Sequence, residues 1–184
     1  MMLLITGGSG SGKSAYGEER LLAFPGEKRI YLATMKPWDE ECRKKIKRHQ
    51  AMRAGKSFET VEQYSNIHKA AIPKHSAVLL ECMSNLTANE MFGTEEMAEG
   101  SFPAGESEVV EKILSGVSFL KQQAENLVII TNEVFSDGAS YDRETRSYLR
   151  ALGRINCRLA AMADEAVEVV YGIPLYLKQG KKRE

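Results

Sequence analysis

The eight residues GGSGSGKS, Gly7–Ser14, follow the apolar run LLIT and match the pattern G-x-x-x-x-G-K-[ST]. Glycines let such a loop curl so that successive N–H groups point at phosphate oxygens, and the start of the following helix adds favourable potential. Lys13 would then reach the β- and γ-phosphates, and the Ser14 hydroxyl would bind Mg²⁺. A flexible Gly/Ser turn is the alternative. The apolar run before the motif and the helical pattern after it favour a loop that binds a nucleoside triphosphate. The loop residues predicted to bind nucleotide are Gly7, Gly8, Ser9, Gly10, Ser11, Gly12, Lys13 and Ser14.

Outward from this loop, short apolar runs alternate with longer helical patterns. The strand-like runs are MLLIT, RIYLAT, AVLLEC, NLVIITNEV, EAVEVVYG and PLYLK, with SFETVE as a candidate short strand. Helices are expected over about 13–23, 38–53, 106–125 and 142–163. Buried runs separated by helices predict an α/β fold of the P-loop NTPase type, a mostly parallel sheet with helices on both faces. We expect a single domain over 1–184, with 93–107 as a mobile loop and 179–184 as a polar tail.

The composition argues against several classes of protein. A length of 184 residues suits one domain, and Lys+Arg and Asp+Glu both number 25, so no net charge favours nucleic acid or an anionic membrane. Three widely spaced cysteines form neither a metal-ligand pattern nor a disulfide framework. No apolar run approaches the ~20 residues that span a bilayer, and the N-terminus lacks the basic region of a signal peptide. We therefore expect a cytoplasmic protein without a membrane span or a nucleic-acid partner.

A P-loop also needs a carboxylate near its Mg²⁺, usually after an apolar strand. The run AVLLEC places Glu81 at the end of such a strand. In an open parallel sheet, ligands bind at the edge where that residue would lie. A strand-end acid that simply meets solvent is the alternative, and Glu133 competes because it follows another apolar run. The sequence does not rank the two glutamates firmly, and our predicted metal-binding residues are Ser14 and Glu81, with Mg²⁺ as cofactor.

The basic stretch CRKKIKRHQAMR, Cys42–Arg53, surrounds His49 with cations. Cationic neighbours disfavour the protonated imidazole, so they favour the neutral form, whose ring nitrogen has a free lone pair. On a helix, Cys42, Ile46, His49 and Arg53 would share one face. His49 is therefore either an ordinary packing residue or a nucleophile that attacks an α-phosphate and forms a covalent phosphoramidate. The residues alone leave both interpretations open.

Several stretches together resemble the bifunctional adenosylcobinamide kinase/adenosylcobinamide-phosphate guanylyltransferase family of cobalamin assembly. They run in order from Met2 to Lys178 and are GGSGSGKS, IYLAT, DEECRKKIKRHQAMR, FETVE, LLEC, NEV and GRINCRLAAMADEAVEVVYGIPLYLK. The P-loop is shared with many kinases, whereas H-x-x-x-R after a basic helix and N-x-R-L-A-x-x-A-D-E near the C-terminus are much more specific. The segment FSDGASYD, over 135–142, departs from the sequence usual at that place in the family.

The resemblance implies roles for particular residues. The histidine that takes GMP covalently corresponds to His49, and with Lys13 of the P-loop it forms the predicted catalytic set. The implied nucleotide-binding residues outside the P-loop are Ala33, Thr34, Met35, Gln50, Ala51, Met52, Arg53, Glu62 and Glu81. The resemblance further implies a P-loop α/β sheet and a homotrimer with sites near the subunit contacts.

The resemblance also implies two reactions. In the first, GTP or ATP phosphorylates the aminopropanol hydroxyl of adenosylcobinamide. In the second, His49 takes GMP from GTP and passes it to adenosylcobinamide phosphate, which gives adenosylcobinamide-GDP. Two alternatives stay open. One is a P-loop kinase of a small hydroxylated metabolite that never forms a guanylyl-enzyme, and the other is a regulatory protein that binds GTP without turnover.

Overall fold

A computed structural model describes residues 1–24, 28–93, 105–136, 138 and 140–180. Most of the predicted mobile loop over 93–107, and the end of the predicted polar tail over 179–184, lie outside the described residues. At the other end of that loop segment, Glu106 and Ser107 already belong to a helix.

The described chain contains strands and helices in alternation. The strands are β1 Met2–Thr6, β2 Arg29–Ala33, β3 Phe58–Glu62, β4 Ala77–Glu81, β5 Asn126–Ile130, β6 Glu165–Val170 and β7 Ile173–Lys178. The helices are α1 Lys13–Leu22, α2 Glu40–Arg53, α3 Met83–Phe92, α4 Glu106–Gln123 and α5 Arg143–Met162, with one 3₁₀ turn at Ile67–Lys69. None of the helices in the described ranges combines the length and the apolar character that crossing a bilayer requires.

The strands form one seven-stranded sheet in the order β3-β2-β4-β5-β1-β6-β7. All neighbouring pairs are parallel except β6 and β7. That reversal is local, because only Tyr171 and Gly172 join the two strands and both have positive φ, 52° and 79°. Two consecutive positive φ values are typical of a tight hairpin turn. The predicted mostly parallel α/β fold is confirmed.

Helices cover both faces of the sheet. Successive side chains of a strand point to opposite faces, so Leu3 and Ile5 join a core cluster with Leu21 of α1. Met2 and Leu4 join the larger cluster, to which α3, α4 and α5 contribute on the other face. Burial on both sides explains why β4 and β5 are apolar at nearly every position.

Helix α3 was not predicted from the sequence. Its segment MSNLTANEMF contains Ser, Thr and two Asn residues, which are poor helix formers. The N-cap residue Cys82, just before the helix, makes no side-chain capping bond with the described residues. Tertiary packing compensates for this weak propensity, because Met83 and Leu86 are fully buried and Met91 is nearly so. Burial of such side chains contributes about 1.5–3 kcal/mol each.

Candidate active site

A cavity of about 390 Å³ opens at the carboxyl edge of the sheet, between the phosphate-binding loop, the ends of β2 and β4, and α2. Thirteen of the predicted site residues line it, and they are Ser9, Gly10, Ser11, Gly12, Lys13, Ser14, Ala33, Met35, His49, Gln50, Arg53, Glu62 and Glu81. Gly7, Gly8, Thr34 and Ala51 are not part of the lining. The side chain of Met52 is not among those that the structure describes.

The loop Gly7–Ser14 has the backbone that its glycines permit. Gly12 has a φ of 93° and leads directly into α1 at Lys13. Gly7 has a φ of 154°, and a Cβ there would lie 2.5 Å from the carbonyl oxygen of Val169. Because the first amides of a helix have no intrahelical partner, the start of α1 presents free N–H groups to the cavity.

The Lys13 side chain lies along this loop, with Nζ donating to the carbonyl oxygen of Gly8 at 2.8 Å. The residue is only 7% exposed. Burial lowers the pKa of Lys13, whereas the neighbouring Cys82 and Glu81 act to raise it. A buried ammonium with one neutral acceptor would be favoured by an incoming polyphosphate.

Glu81 is the carboxylate that lies beside the loop. Its Oε1 accepts a hydrogen bond from the Ser14 hydroxyl, and its Oε2 accepts one from Tyr31 at 2.8 Å. Glu133, by contrast, turns back on its own loop, where Oε1 accepts from the N–H of Phe135 at 2.8 Å and from the hydroxyl of Ser136 at 2.9 Å. The geometry therefore favours Glu81 as the partner of Ser14.

The pair Ser14 and Glu81 fits a Mg²⁺ ion. Both offer oxygen atoms, and the two side chains are in direct contact. In the described part of the chain, no group of three or more His, Cys, Asp or Glu side chains forms an all-protein metal site. Mg²⁺ is usually held by one or two protein oxygens together with substrate phosphates and water, so the small protein contribution is what a nucleotide-bound ion needs.

His49 faces the cavity from α2, with a side chain that is 15% exposed. Its ring atom Nδ1 is enclosed, makes no hydrogen bond within the described part of the chain and lies 3.8 Å from Oε1 of Glu81. Nε2 is therefore the ring nitrogen that is left for a substrate. The predicted stripe is confirmed, since Cys42, Ile46 and His49 are half-buried on one side of α2 and Arg53 is buried.

The cations of α2 are partly balanced by acids on the same helix. Lys45 pairs with Glu41 at 2.7 Å, and Lys44 lies 4.0 Å from Glu40. These pairs are exposed and contribute little to stability. Lys45 and Arg48 are exposed but also line the cavity with His49, so part of the predicted cationic surroundings lies at the site.

Arg53 is the cation that is buried beside the site. Its guanidinium carbon lies 3.4 Å from the ring centroid of Tyr31, and its Nη1 is enclosed without a hydrogen-bond partner among the described residues. Tyr31 connects this arginine to Glu81 through its hydroxyl. Burial, and then the charge of Glu81, raises the pKa of Tyr31, so its hydroxyl stays protonated and donates to the carboxylate.

Thr34 has a structural role beside the site. It is fully buried, its hydroxyl donates to the carbonyl oxygen of Cys82 at 2.8 Å, and it accepts from the Cys82 N–H at 2.8 Å. These two bonds fasten the end of β2 to the end of β4, where the peptide bond between Glu81 and Cys82 is cis. The prediction that Thr34 binds nucleotide stays a prediction, because its side chain is engaged here.

Sequence reasoning missed four uncharged polar residues of the lining, Tyr31, Thr60, Asn85 and Asn132. Asn132 follows β5 at the carboxyl edge and could have been found from that position alone. Tyr31 is a polar ring in an otherwise apolar strand, which is a weak signal. Asn85 lies on α3, the helix that the sequence did not reveal.

The family model described as cobinamide kinase / cobinamide phosphate guanyltransferase matches residues 3–177 of this chain. The bifunctional adenosylcobalamin biosynthesis protein CobU of Escherichia coli (strain K12) is 32% identical over 184 residues, which cover 97% of this chain and 100% of that protein. The protein of the same name from Salmonella typhimurium is 30% identical over 183 residues, with 97% of this chain and 100% of that protein covered.

Among solved structures, flagellar accessory protein FlaH from Methanocaldococcus jannaschii is similar with a TM-score of 0.48 and 10% identity, over 97% of this chain and 78% of that one. The strand order and the phosphate-binding loop between β1 and α1 establish the fold. The family resemblance seen in the sequence is confirmed by the match over residues 3–177. This chain belongs to the cobinamide kinase / cobinamide phosphate guanyltransferase family.

Proposed function

We propose that this chain phosphorylates the aminopropanol hydroxyl of adenosylcobinamide and then transfers GMP from GTP to the product, through a guanylyl group on His49. Adenosylcobinamide-GDP is the final product. The observation that supports this most strongly is that His49 and the phosphate-binding loop line the same cavity. Both names in the family description, kinase and guanyltransferase, correspond to these two reactions.

In the kinase reaction, the acceptor hydroxyl attacks the γ-phosphorus of GTP or ATP, the bond to the bridging oxygen breaks, and the nucleoside diphosphate leaves. The proton of the hydroxyl passes to solvent. Lys13 and the N–H groups at the start of α1 stabilise the charge that develops on the phosphoryl oxygens. Mg²⁺ would be held by Ser14 and Glu81, and when bound it supplies positive charge against those oxygens. The buried side chain of Lys13 already follows the loop where the phosphates would lie.

In the guanylyl reaction, the lone pair of His49 Nε2 attacks the α-phosphorus of GTP, and pyrophosphate leaves. The ring then carries a proton on Nδ1 and a positive charge, which the Glu81 carboxylate at 3.8 Å offsets. The phosphate of adenosylcobinamide phosphate next attacks the same phosphorus. The P–N bond breaks, and its electron pair returns to Nε2.

Arg53 would bind a phosphate oxygen of the nucleotide in these reactions. Its Nη1 is buried and has no acceptor in the ranges that the structure describes, and an enclosed guanidinium N–H without an acceptor is costly to leave unsatisfied. A phosphate oxygen of the bound nucleotide would satisfy it. The stack of Arg53 on Tyr31 fixes the plane of the guanidinium, which favours this use over that of a mobile surface cation.

The test of the proposed function is labelling with α-³²P-GTP and Mg²⁺, followed by a denaturing gel. We expect an acid-labile, base-stable label on the unaltered protein and none on His49→Ala. His68→Ala is the matched control, because His68 is exposed on the 3₁₀ turn, and it should label normally. Pyrophosphate should remove the label.

The alternatives predict other results. A small-metabolite kinase would form no labelled enzyme, and His49→Ala would keep all of its activity. A regulatory protein would bind GTP and convert no cobinamide. Folded wild-type protein that binds GTP without becoming labelled would overturn the guanylyltransferase half of the proposal.

We further propose that the chain forms a homotrimer and works in the cytoplasm, as the family resemblance implies. Exposed apolar side chains on the β6–β7 hairpin support self-association, since Tyr171 is 94% exposed, Ile173 61% and Leu177 63%. Light scattering coupled to size-exclusion chromatography would give about three times the chain mass of 20.5 kDa. A monomer at micromolar concentration would contradict the trimer.

A further inference from the structure

A second cavity, of about 380 Å³, lies beyond the end of β5. One side is formed by Glu133, Val134 and Ser136, which follow that strand. The other side is formed by Thr145, Tyr148 and Leu149 in the first turns of α5. None of the roles assigned above to the nucleotide, Mg²⁺ or His49 uses this space.

The two cavities share a wall. Asn132 lines the first cavity and its neighbour Glu133 lines the second. The Asn132 amide donates to the hydroxyl of Ser84 at 2.5 Å, and the Tyr148 hydroxyl donates to the carbonyl oxygen of Ser84 at 3.3 Å. Both cavities thus open at the carboxyl edge of the sheet, where ligands of open α/β sheets bind. A molecule in the second cavity would lie next to a nucleotide in the first.

The lining of the second cavity does not suit another nucleotide. Among the described residues, no lysine, arginine or histidine lines it, whereas a triphosphate needs cations or a phosphate-binding loop. Burial raises the pKa of Tyr148 to about 12, so its hydroxyl is neutral at working pH. Val134, Leu149 and the Tyr148 ring provide apolar surface.

The polar groups of this lining are mainly acceptors and hydroxyls. Oε1 of Glu133 accepts two hydrogen bonds from its own loop, and no bond to Oε2 is formed with the described residues. The hydroxyls of Thr145 and Ser136 lie in the same lining. An apolar wall with a carboxylate and hydroxyls fits an apolar ligand that is bordered by amide N–H groups.

We propose that this second cavity binds the edge of the corrinoid acceptor, with the aminopropanol arm directed past Asn132 towards the nucleotide. The inference rests on the proposed function. A corrinoid is an apolar ring bordered by carboxamide arms, and its edge matches both the walls and the carboxylate. A whole corrinoid exceeds the volume of the cavity, so the rest of the ring stays outside. One acceptor site would then serve both reactions, because both place the same arm against the same nucleotide cavity.

The first experiment measures acceptor binding directly, by equilibrium dialysis of adenosylcobinamide against the full chain without nucleotide. Leu149→Trp would fill the cavity and should weaken binding at least about tenfold, since a well-packed ligand contact is lost. Glu133→Gln keeps the shape and removes the charge, and it should weaken binding less. Phe119→Trp is the control, because Phe119 is 36% exposed on α4, and it should bind as the unaltered chain does.

The second experiment separates this site from the proposed function. Labelling of His49 by α-³²P-GTP needs no acceptor, so Leu149→Trp and Glu133→Gln should label within about twofold of wild type. Discharge of the label by adenosylcobinamide phosphate should slow about tenfold in Leu149→Trp and by a smaller factor in Glu133→Gln. Unchanged binding and discharge in both variants would overturn the acceptor site and leave the proposed function standing. Failure of the wild-type chain to label would overturn both.

Discussion

The substitution Tyr31→Phe removes one hydroxyl and tests whether that hydroxyl positions Glu81, while the rest of the site is kept. The Tyr31 hydroxyl donates to Oε2 of Glu81 at 2.8 Å inside the core, while the ring supports Arg53. The phenylalanine ring keeps that support and loses only the hydrogen bond. The substitution therefore leaves one oxygen of a carboxylate that is 9% exposed without its donor.

The magnitude follows from the kind of bond. A hydrogen bond to a charged group contributes about 1.5–3 kcal/mol, so Tyr31→Phe should lower the free energy of unfolding by about that amount. If half of this energy orients Glu81 towards His49 in the transition state, the rate of self-guanylylation falls about 4- to 13-fold. The KM for GTP should change little, because no group that binds phosphate has been removed.

The assay is the initial rate of labelling with α-³²P-GTP over a range of GTP concentrations, together with urea unfolding. Tyr16→Phe is the matched control, since its hydroxyl accepts from Arg20 at 3.0 Å on the partly exposed side of α1. The control should label at the wild-type rate. Labelling and stability of Tyr31→Phe equal to those of the wild type would refute the positioning role.

Three further substitutions test residues that support the site structurally. Gly7→Ala should cost at least about 2 kcal/mol of stability and abolish nucleotide binding, because its Cβ would lie 2.5 Å from the carbonyl oxygen of Val169; isothermal titration with GTP and thermal unfolding check this. Thr34→Val should lower the free energy of unfolding by about 2–4 kcal/mol, since both hydrogen bonds to Cys82 are lost from a buried position. An unchanged free energy in urea unfolding would mean that these bonds do not stabilise the fold. Tyr148→Phe tests how stability depends on pH. The pKa of Tyr148 is raised from 10.0 to about 12 in the folded chain, so the unfolded chain releases this proton at lower pH. The free energy of unfolding of the wild type therefore falls between about pH 10 and 12. Over that range the stability of wild type should fall relative to Tyr148→Phe, and parallel unfolding curves against pH would contradict the assignment.

The sequence was sufficient for the parts of the structure that depend on local pattern. The loop Gly7–Ser14 and its flanking strand and helix follow from glycine geometry and apolar periodicity. The same holds for the sheet, since continuous apolar runs such as AVLLE and NLVII are typical of parallel strands buried on both faces. The stripe on α2 followed from helical spacing alone, and the structure confirms it.

The sequence failed where strand order or tertiary packing decides. Glu81 and Glu133 both follow apolar strands, and only the folded chain shows that Glu81 contacts Ser14 while Glu133 accepts bonds within its own loop. Tyr31 enters the site because β2 and β4 are neighbours, with Ala33 opposite Glu81 in the register. Periodicity within one segment cannot reveal such adjacency. Helix α3 was missed because packing overrides its weak propensity.

The most direct test of the account is to identify the atom that carries GMP. The labelled enzyme would be digested under alkaline conditions, and the modified residue and its phosphorylated ring nitrogen would be identified by mass spectrometry and by separation of the two phosphohistidine isomers. We expect a single product, GMP on Nε2 of His49, because Nδ1 is enclosed against Glu81. A label on Nδ1, on another residue, or on none would contradict it.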